Sequence, residues 1–222
     1  MATRVRLIAL GGCFGAPAIY RDMFKETLTI YQEKDLHKIK KGDVILYGGG
    51  EDISPSLYGE KPFHSHSSDL PSPRDVVERL AFLHGQEVGA KHYGICRGAQ
   101  LLCALSGAKL VQHVSNHTGG NHFISTNEGK EYVSSSVHHQ MMWPYVLPKD
   151  KFELIATASE NRSSIYMFNE LNVKSKIEVP EPEIVYFRET NSLGIQGHPE
   201  FMVESAPFVQ YSIALVQKYL LS

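Results

Sequence analysis

Three cysteines, one tryptophan and no long apolar run are the first shortages in this 222-residue chain. The odd cysteine count (Cys13, Cys96 and Cys103) argues against a disulfide framework and points to a reducing, cytoplasmic setting. No stretch approaches the roughly 18 consecutive apolar residues that span a bilayer, so no membrane partner is expected. Between Met1 and Pro17 the apolar run is only a few residues long, which reads as a buried strand and not as a secretion signal. Charge of one sign is also missing. The 22 basic and 24 acidic side chains leave a formal charge of −2, and no broad basic field invites nucleic acid. The cluster from His37 to Lys41 reads as a solvated turn. There is no internal repeat, low-complexity tract or linker. Residues 1–222 are therefore read as a single domain, with 42% hydrophobic residues to build its core.

The first half alternates strand and helix signals. Val5 to Leu10 and Val44 to Tyr47 are short apolar runs closed by Gly11-Gly12 and Gly48-Gly49-Gly50. Arg74 to Val88 has helical spacing, with Val76, Val77, Leu80, Ala81, Leu83 and His84 near one face, Ser72-Pro73 as a start and Gly89 as a stop. His92 to Ile95 is a strand and Ala99 to Leu105 a helix. Strand–helix–strand at this spacing predicts an α/β fold with a doubly wound parallel sheet. The stretch from Val111 to about Pro148 reads as loops and hairpins over the sheet's carboxyl edge. Phe152 to Ala158, Ser164 to Phe168, Ile184 to Phe187 and Leu193 to Gln196 alternate like antiparallel strands, Val173 to Glu183 reads as a turn, and a last helix runs from Pro207 to Leu221.

Gly94-Ile95-Cys96-Arg97-Gly98 lies where a strand enters and a helix leaves. This is a Gly-x-nucleophile-x-Gly elbow with cysteine as the nucleophile. A strained turn lifts the side chain above the sheet, and the two glycines let strand and helix pack behind it. The helix N-terminus turns partial positive charge on the sulfur, which favours thiolate. Arg97 either adds to that field or bridges to a carboxylate. Cys103, two helical turns on, reads as core packing, and Cys13 as structural.

A thiol nucleophile needs a base to form thiolate and an acid for the leaving amine, and imidazole does both near neutral pH. His198-Pro199-Glu200 supplies one. The histidine and carboxylate are two residues apart and lean to the same side of an extended segment, and the carboxylate can fix the tautomer. Glu200 follows His198, whereas in α/β-hydrolases the acid precedes the histidine, which points to another fold.

Four segments together resemble the class I glutamine amidotransferase-like superfamily, closest to its γ-glutamyl hydrolase and γ-glutamyl-γ-aminobutyrate hydrolase branch. They are Tyr47 to Glu60, Gly94 to Gln100, Ser136 to Gln140 and Gly194 to Glu200. The resemblance implies a flavodoxin-like doubly wound, mainly parallel sheet with helices on both faces and a small antiparallel extension. It implies a catalytic triad of Cys96, His198 and Glu200, and an oxyanion hole from the backbone amides of Gly50 and Arg97. It implies substrate contacts at Gln100, Ser136 and His138. Two features depart from the family pattern. Gly197 stands where a bulky residue is usual, which predicts a more open pocket floor. The segment from Phe14 to Lys41 matches poorly and is expected near the pocket rim.

The function expected is hydrolysis of γ-glutamyl amide C–N bonds through a γ-glutamyl thioester, releasing glutamate and an amine. The alternative is a glutaminase subunit that delivers ammonia to a separate synthetase partner. A binding module that merely keeps the fold is a third reading, opposed by three chemically competent triad residues. The three-glycine run lacks the Gly-Lys-Ser/Thr of a phosphate cradle, so nucleotide binding is rejected. His113, His117, His122, His138 and His139 crowd one region, but no cysteine completes a ligand set and Gly119-Gly120 breaks any aligning helix, so no metal and no cofactor are expected. A small γ-glutamyl substrate is the expected partner, and a homodimer is compatible with the sequence.

Overall fold

The computed structural model describes residues 5–13 and 15–222. In chain order the elements are β1 (Leu7–Leu10), α1 (Ala16–Tyr20), β2 (Thr27–Ile30), β3 (Val44–Tyr47), α2 (Pro73–Val88), β4 (Lys91–Ile95) and α3 (Arg97–Leu105). The second half continues with β5 (Lys109–Val111), β6 (His113–Val114), β7 (Asn121–Thr126), β8 (Glu131–Ser135), β9 (Met141–Trp143), β10 (Phe152–Ala158), β11 (Tyr166–Met167), β12 (Val173–Lys174), β13 (Pro182–Phe187), β14 (Ser192–Ile195) and α4 (Pro207–Val216).

Among the described residues nine strands form one sheet in the order β2-β1-β3-β4-β14-β13-β10-β7-β8. The pairings from β2 to β14 are parallel. Those from β14 to β8 are antiparallel. The α/β fold class read from the sequence is the one found, although the antiparallel extension is wider than expected because the β7–β8 hairpin joins the main sheet. Leu193 to Gln196 also differs from its expectation: β14 is antiparallel to β13 but parallel to β4. Tyr166–Met167 leaves the main sheet for a small one with β12 and β6. Residues 173–174 are that sheet's edge strand, where the sequence suggested only a turn.

Both faces of the parallel half are covered, which explains the near-continuous apolar runs. Alternate residues feed two cores. Ile8, Leu10, Ile45 and Tyr47 face α2 and α3. Leu7, Val44, Leu46, Tyr93 and Ile95 face α1 and α4. The helix signals resolve as capping geometry. Ser72 accepts from the Asp75 N–H at 3.1 Å while Asp75 accepts from the Ser72 N–H at 2.9 Å, and Gly89 closes α2 at φ 77°. Among the described residues no helix is long and apolar enough to cross a membrane. Residues 15–41 form α1 on the sheet face beside α4, β2 at the sheet edge and short 3-10 turns; α1 touches the Pro199–Phe201 turn, and none of them lines the cleft described below. The segment expected near the rim therefore lies behind the site and not in the cleft wall, and its Phe14 is outside the described residues.

Candidate active site

Strands β3, β4 and β14 are neighbours, and their carboxyl ends carry Gly48–Gly50, Cys96 and His198 respectively. Side chains separated by about a hundred residues meet there because a parallel sheet brings its strand ends to one edge. Cys96 sits between β4 and α3 at φ 50° and ψ −107°, a strained backbone for a residue with a Cβ. Packing holds it there. A Cβ on Gly94 would lie 2.5 Å from the Gly98 carbonyl carbon, and one on Gly98 would strike the Tyr47 carbonyl at the end of β3. The elbow thus closes against the strand that bears the glycine loop.

His198 approaches from the other side. Its Nδ1 is 2.8 Å from Glu200 Oε1, and the Phe201 ring stacks on it at 4.3 Å. The Ser135 hydroxyl accepts from the His198 N–H at 2.8 Å and donates to its carbonyl at 2.9 Å, fixing the backbone. A Cβ on Gly49 would lie 2.5 Å from His198 Cε1, so that glycine makes room for the ring. Burial pulls the imidazole pKa down, but hydrogen bonds to Cys96 and Glu200 and the charges of both overcome it and push it up to about 10. The three residues predicted as a triad are therefore brought together, with the imidazole between sulfur and carboxylate. The other two thiols sit elsewhere. Cys13 donates to the Leu46 carbonyl at 3.2 Å and Cys103 to the Lys109 carbonyl at 3.4 Å, and burial pushes each up to about 12.

Cys96 opens into a cleft of about 340 Å³ that Gly50, Gln100 and His138 also line. Gly50 has φ 144°, which strains any side chain, and a Cβ there would strike the Arg74 guanidinium. Gln100 Nε2 donates to the Gln140 carbonyl at 3.0 Å. His138 Nδ1 faces the same carbonyl at 2.8 Å, so Nδ1 carries the hydrogen and Nε2 is left as an acceptor with no partner among the described residues. Burial and the neighbouring His117 hold that ring well below its ordinary pKa, hence neutral. Ser136 is placed differently. Its hydroxyl is buried, donates to the His117 carbonyl at 2.9 Å, and lies outside the cleft wall. Gly197 is also outside the wall. A Cβ there would strike Ser134 Oγ and lie 2.9 Å from the Ser135 carbonyl, so its smallness admits β8 and does not open a pocket floor.

The sequence reading missed the support beneath the site. Arg97 is completely buried, and its guanidinium bonds Asp75 at 2.5 Å and Glu78. Arg74 shares Glu78 at 2.9 Å, donates to the Gly48 carbonyl at 3.0 Å and reaches Glu51 at 3.2 Å. One charged network thereby joins the elbow to the glycine loop. It also corrects the assigned face of α2. Val76 and Leu83 are each 43% exposed, whereas Asp75, Glu78, Ala81, Phe82 and Gly85 are buried. The signal was present as Arg74-Asp75 with Glu78 three residues on, but an apolar-periodicity reading passes over a buried face that begins with carboxylates.

The histidine-rich region divides in two. His117 and His122 are buried, bonded to Glu181 at 3.1 Å and Glu183 at 2.7 Å. His139 and His113 lie together apart from them, with ring centroids 5.8 Å apart.

The profile of the Peptidase C26 family matches residues 28–200, which include every one of these groups. The chain belongs to the Peptidase C26 family. Relatives and structural neighbours carry glutamine amidotransferase names, which places it in the class I glutamine amidotransferase-like superfamily. It is 25% identical to the glutamine amidotransferase-like protein YvdE of Lactococcus lactis subsp. lactis, over 75% of this chain and 69% of that one. It is 40% identical to the YvdE homolog of Lactococcus lactis subsp. cremoris, over 45% of this chain but only 63% of that protein. The glutamine amidotransferase of Thermotoga maritima has the same fold, with a TM-score of 0.57 at 16% identity over 97% of this chain and 85% of that one. For this Peptidase C26 member, the family indicates a cysteine-dependent amidase or hydrolase.

Proposed function

We propose that this protein hydrolyses γ-glutamyl amide bonds with Cys96 as nucleophile, His198 as acid and base, and Glu200 as the group that orients the imidazole. The observation carrying this is the strained elbow that presents Cys96 at the sheet edge where β14 delivers His198, an imidazole whose Nδ1 is held 2.8 Å from a carboxylate. The Cys96 sulfur attacks the γ-carbonyl carbon, a C–S bond forms, and the carbonyl electrons move to oxygen. The amides of Gly50 and Arg97 receive that oxyanion, since the first N–H groups of α3 have no carbonyl one turn back. His198 protonates the leaving amine as the C–N bond breaks, leaving a γ-glutamyl thioester. It then takes a proton from water, which attacks the thioester, and returns it to sulfur as glutamate leaves. Gln100 and His138, which line the cleft, hold the glutamyl end.

A screen of γ-glutamyl amines beside glutamine, with enzymatic detection of glutamate, tests the reading. Turnover of the amines by the isolated chain, with glutamine cleaved at least about tenfold more slowly, is the expected result. The second reading, a glutaminase subunit, is favoured by likeness to the carbamoyl phosphate synthase small chain of Pectobacterium atrosepticum. That match is 27% identical over 71% of this chain and 37% of the other. Glutamine hydrolysis that appears only on adding a synthetase would decide for it.

Replacing Glu200 by glutamine should move the alkaline limb of kcat/KM down. The carboxylate is one of the groups that raise His198, so without it the imidazolium loses its proton at lower pH. A neighbouring opposite charge shifts a pKa by about 1 to 3 units, and the limb should fall by at least about one. A pH–rate profile with an unmoved limb would show that Glu200 does not act on His198.

A further inference from the structure

The Cys96 cleft carries a second group of ligating side chains in its wall, made of Asp52, His66 and His139. They come from three separate stretches of chain: Asp52 follows the glycine loop, His66 lies in the loop before α2, and His139 lies before β9. One ligand atom from each falls within 4.8 Å of the others. His139 Nε2 is 2.8 Å from Asp52 Oδ1. Asp52 Oδ2 is already oriented, accepting from the His66 N–H at 2.7 Å and the Ser65 hydroxyl at 3.1 Å. The His66 and His139 rings stack at 4.0 Å, and His139 Nδ1 is buried without a hydrogen-bond partner among the described residues.

We propose that Asp52, His66 and His139 form a site for a zinc-class divalent ion at the mouth of the Cys96 cleft, and that its occupation shuts the cleft to substrate. Two imidazoles and one carboxylate are a ligand set suited to zinc, whereas magnesium and calcium take oxygen ligands. Zinc binds nitrogen at about 2.0–2.1 Å in tetrahedral geometry, which sets neighbouring ligand atoms roughly 3.3 Å apart, so the His139–Asp52 pair must open slightly and the His66 ring turn to complete the set. His66 is exposed and free to make that adjustment. The ion takes the place of the hydrogen between His139 Nε2 and Asp52 Oδ1, which moves to Nδ1 of a neutral ring or leaves to solvent from a protonated one, so that neutral imidazole ligates and a coordination position is left for water. The held Oδ2 is the outer support that orients a ligating carboxylate. An ion here ties together three chain segments in the wall of the cleft that holds the sulfur. The buried His117, His122 and Glu183 also converge. That group has no exposed member, and each of its imidazoles already has its own carboxylate.

Binding is independent of the hydrolase reading, and only the inhibition rests on it. The test uses Cys96→Ala protein, which removes the cleft thiol as a competing ligand. It is titrated with Co²⁺ by visible absorption and with Zn²⁺ by calorimetry. One ion per chain is expected, with affinity falling at least about tenfold when His66→Ala is added. With Cys96 intact, Zn²⁺ should stop glutamate release and a chelator restore it. His66→Ala should keep metal-free turnover but need at least tenfold more Zn²⁺ for the same inhibition. No saturable site below millimolar metal, an affinity indifferent to His66→Ala, or one lost instead with His122→Gln would overturn the proposal. A chain that binds the ion as described yet cleaves no γ-glutamyl amine would leave the metal site standing and remove the hydrolase.

Discussion

Cys96→Ala should lower the rate of glutamate release from γ-glutamyl amines by at least about 10⁴-fold while leaving the protein folded, because a triad stripped of its nucleophile keeps only the small contribution of binding and oxyanion stabilisation. The methyl group occupies less space than the thiol at a site that opens into the cleft, so no closed cavity is created. The backbone at φ 50° is held by the Gly94, Gly98 and Tyr47 contacts and not by the sulfur. The melting temperature should therefore stay within a few degrees of the parent. Cys103→Ala is the paired control. That thiol is buried in the core on the carbonyl of Lys109, and its loss should spare turnover per folded molecule. Parent-like turnover by Cys96→Ala, measured beside an unaltered circular-dichroism spectrum, would remove cysteine catalysis from consideration.

The candidate triad was legible in the sequence because the chemistry proposed for it is local in two places. The elbow needs Gly94 and Gly98 on either side of Cys96, and the base needs Glu200 two residues from His198. The sheet then joins the pieces, and alternating strand and helix signals were enough to predict that β3 and β4 end at one edge. The reading was weaker where pairing partners are far apart. Nothing near Leu193 says that β14 runs parallel to β4 on one side and antiparallel to β13 on the other. The smallness of Gly197 was visible, but the reason, Ser134 and Ser135 of β8 pressed against it, required the hairpin to be placed first. The polar contacts of Asp52, His66 and His139 are likewise products of loop packing that no spacing rule anticipates. The face of α2 was misassigned because periodicity counts apolar residues, and here the elements are joined by buried charge.

That buried charge sets the second large effect, which is on stability. Arg97→Met should destabilise the fold by about 3–5 kcal/mol, the usual cost of leaving buried charges without their partner. In a chain of this size that corresponds to a melting temperature lower by roughly 6–20 °C. The cost arises from what remains. Asp75 and Glu78 are each about 1% exposed, and without the guanidinium they are two carboxylates facing apolar packing. Glu78 would retain Arg74, and Asp75 the N–H groups of Ser54 and Ser72. The loss should therefore stop short of complete unfolding. The triple change Arg97→Met, Asp75→Asn and Glu78→Gln separates the two possible origins. If uncompensated charge is the cause, removing all three charges recovers part of the loss, because a buried ion network exceeds neutral groups of similar volume by little. If the guanidinium acts only by filling space, the triple variant should melt no higher than the single one. Activity should follow a different course. Arg74 couples this network to the Gly48 carbonyl, so the glycine loop in the triple variant loses the Glu78 carboxylate that steadies Arg74. Recovery of melting temperature without matching recovery of kcat is thus expected, and full recovery of both would show that the network supports the fold alone and leaves the position of the glycine loop to other contacts.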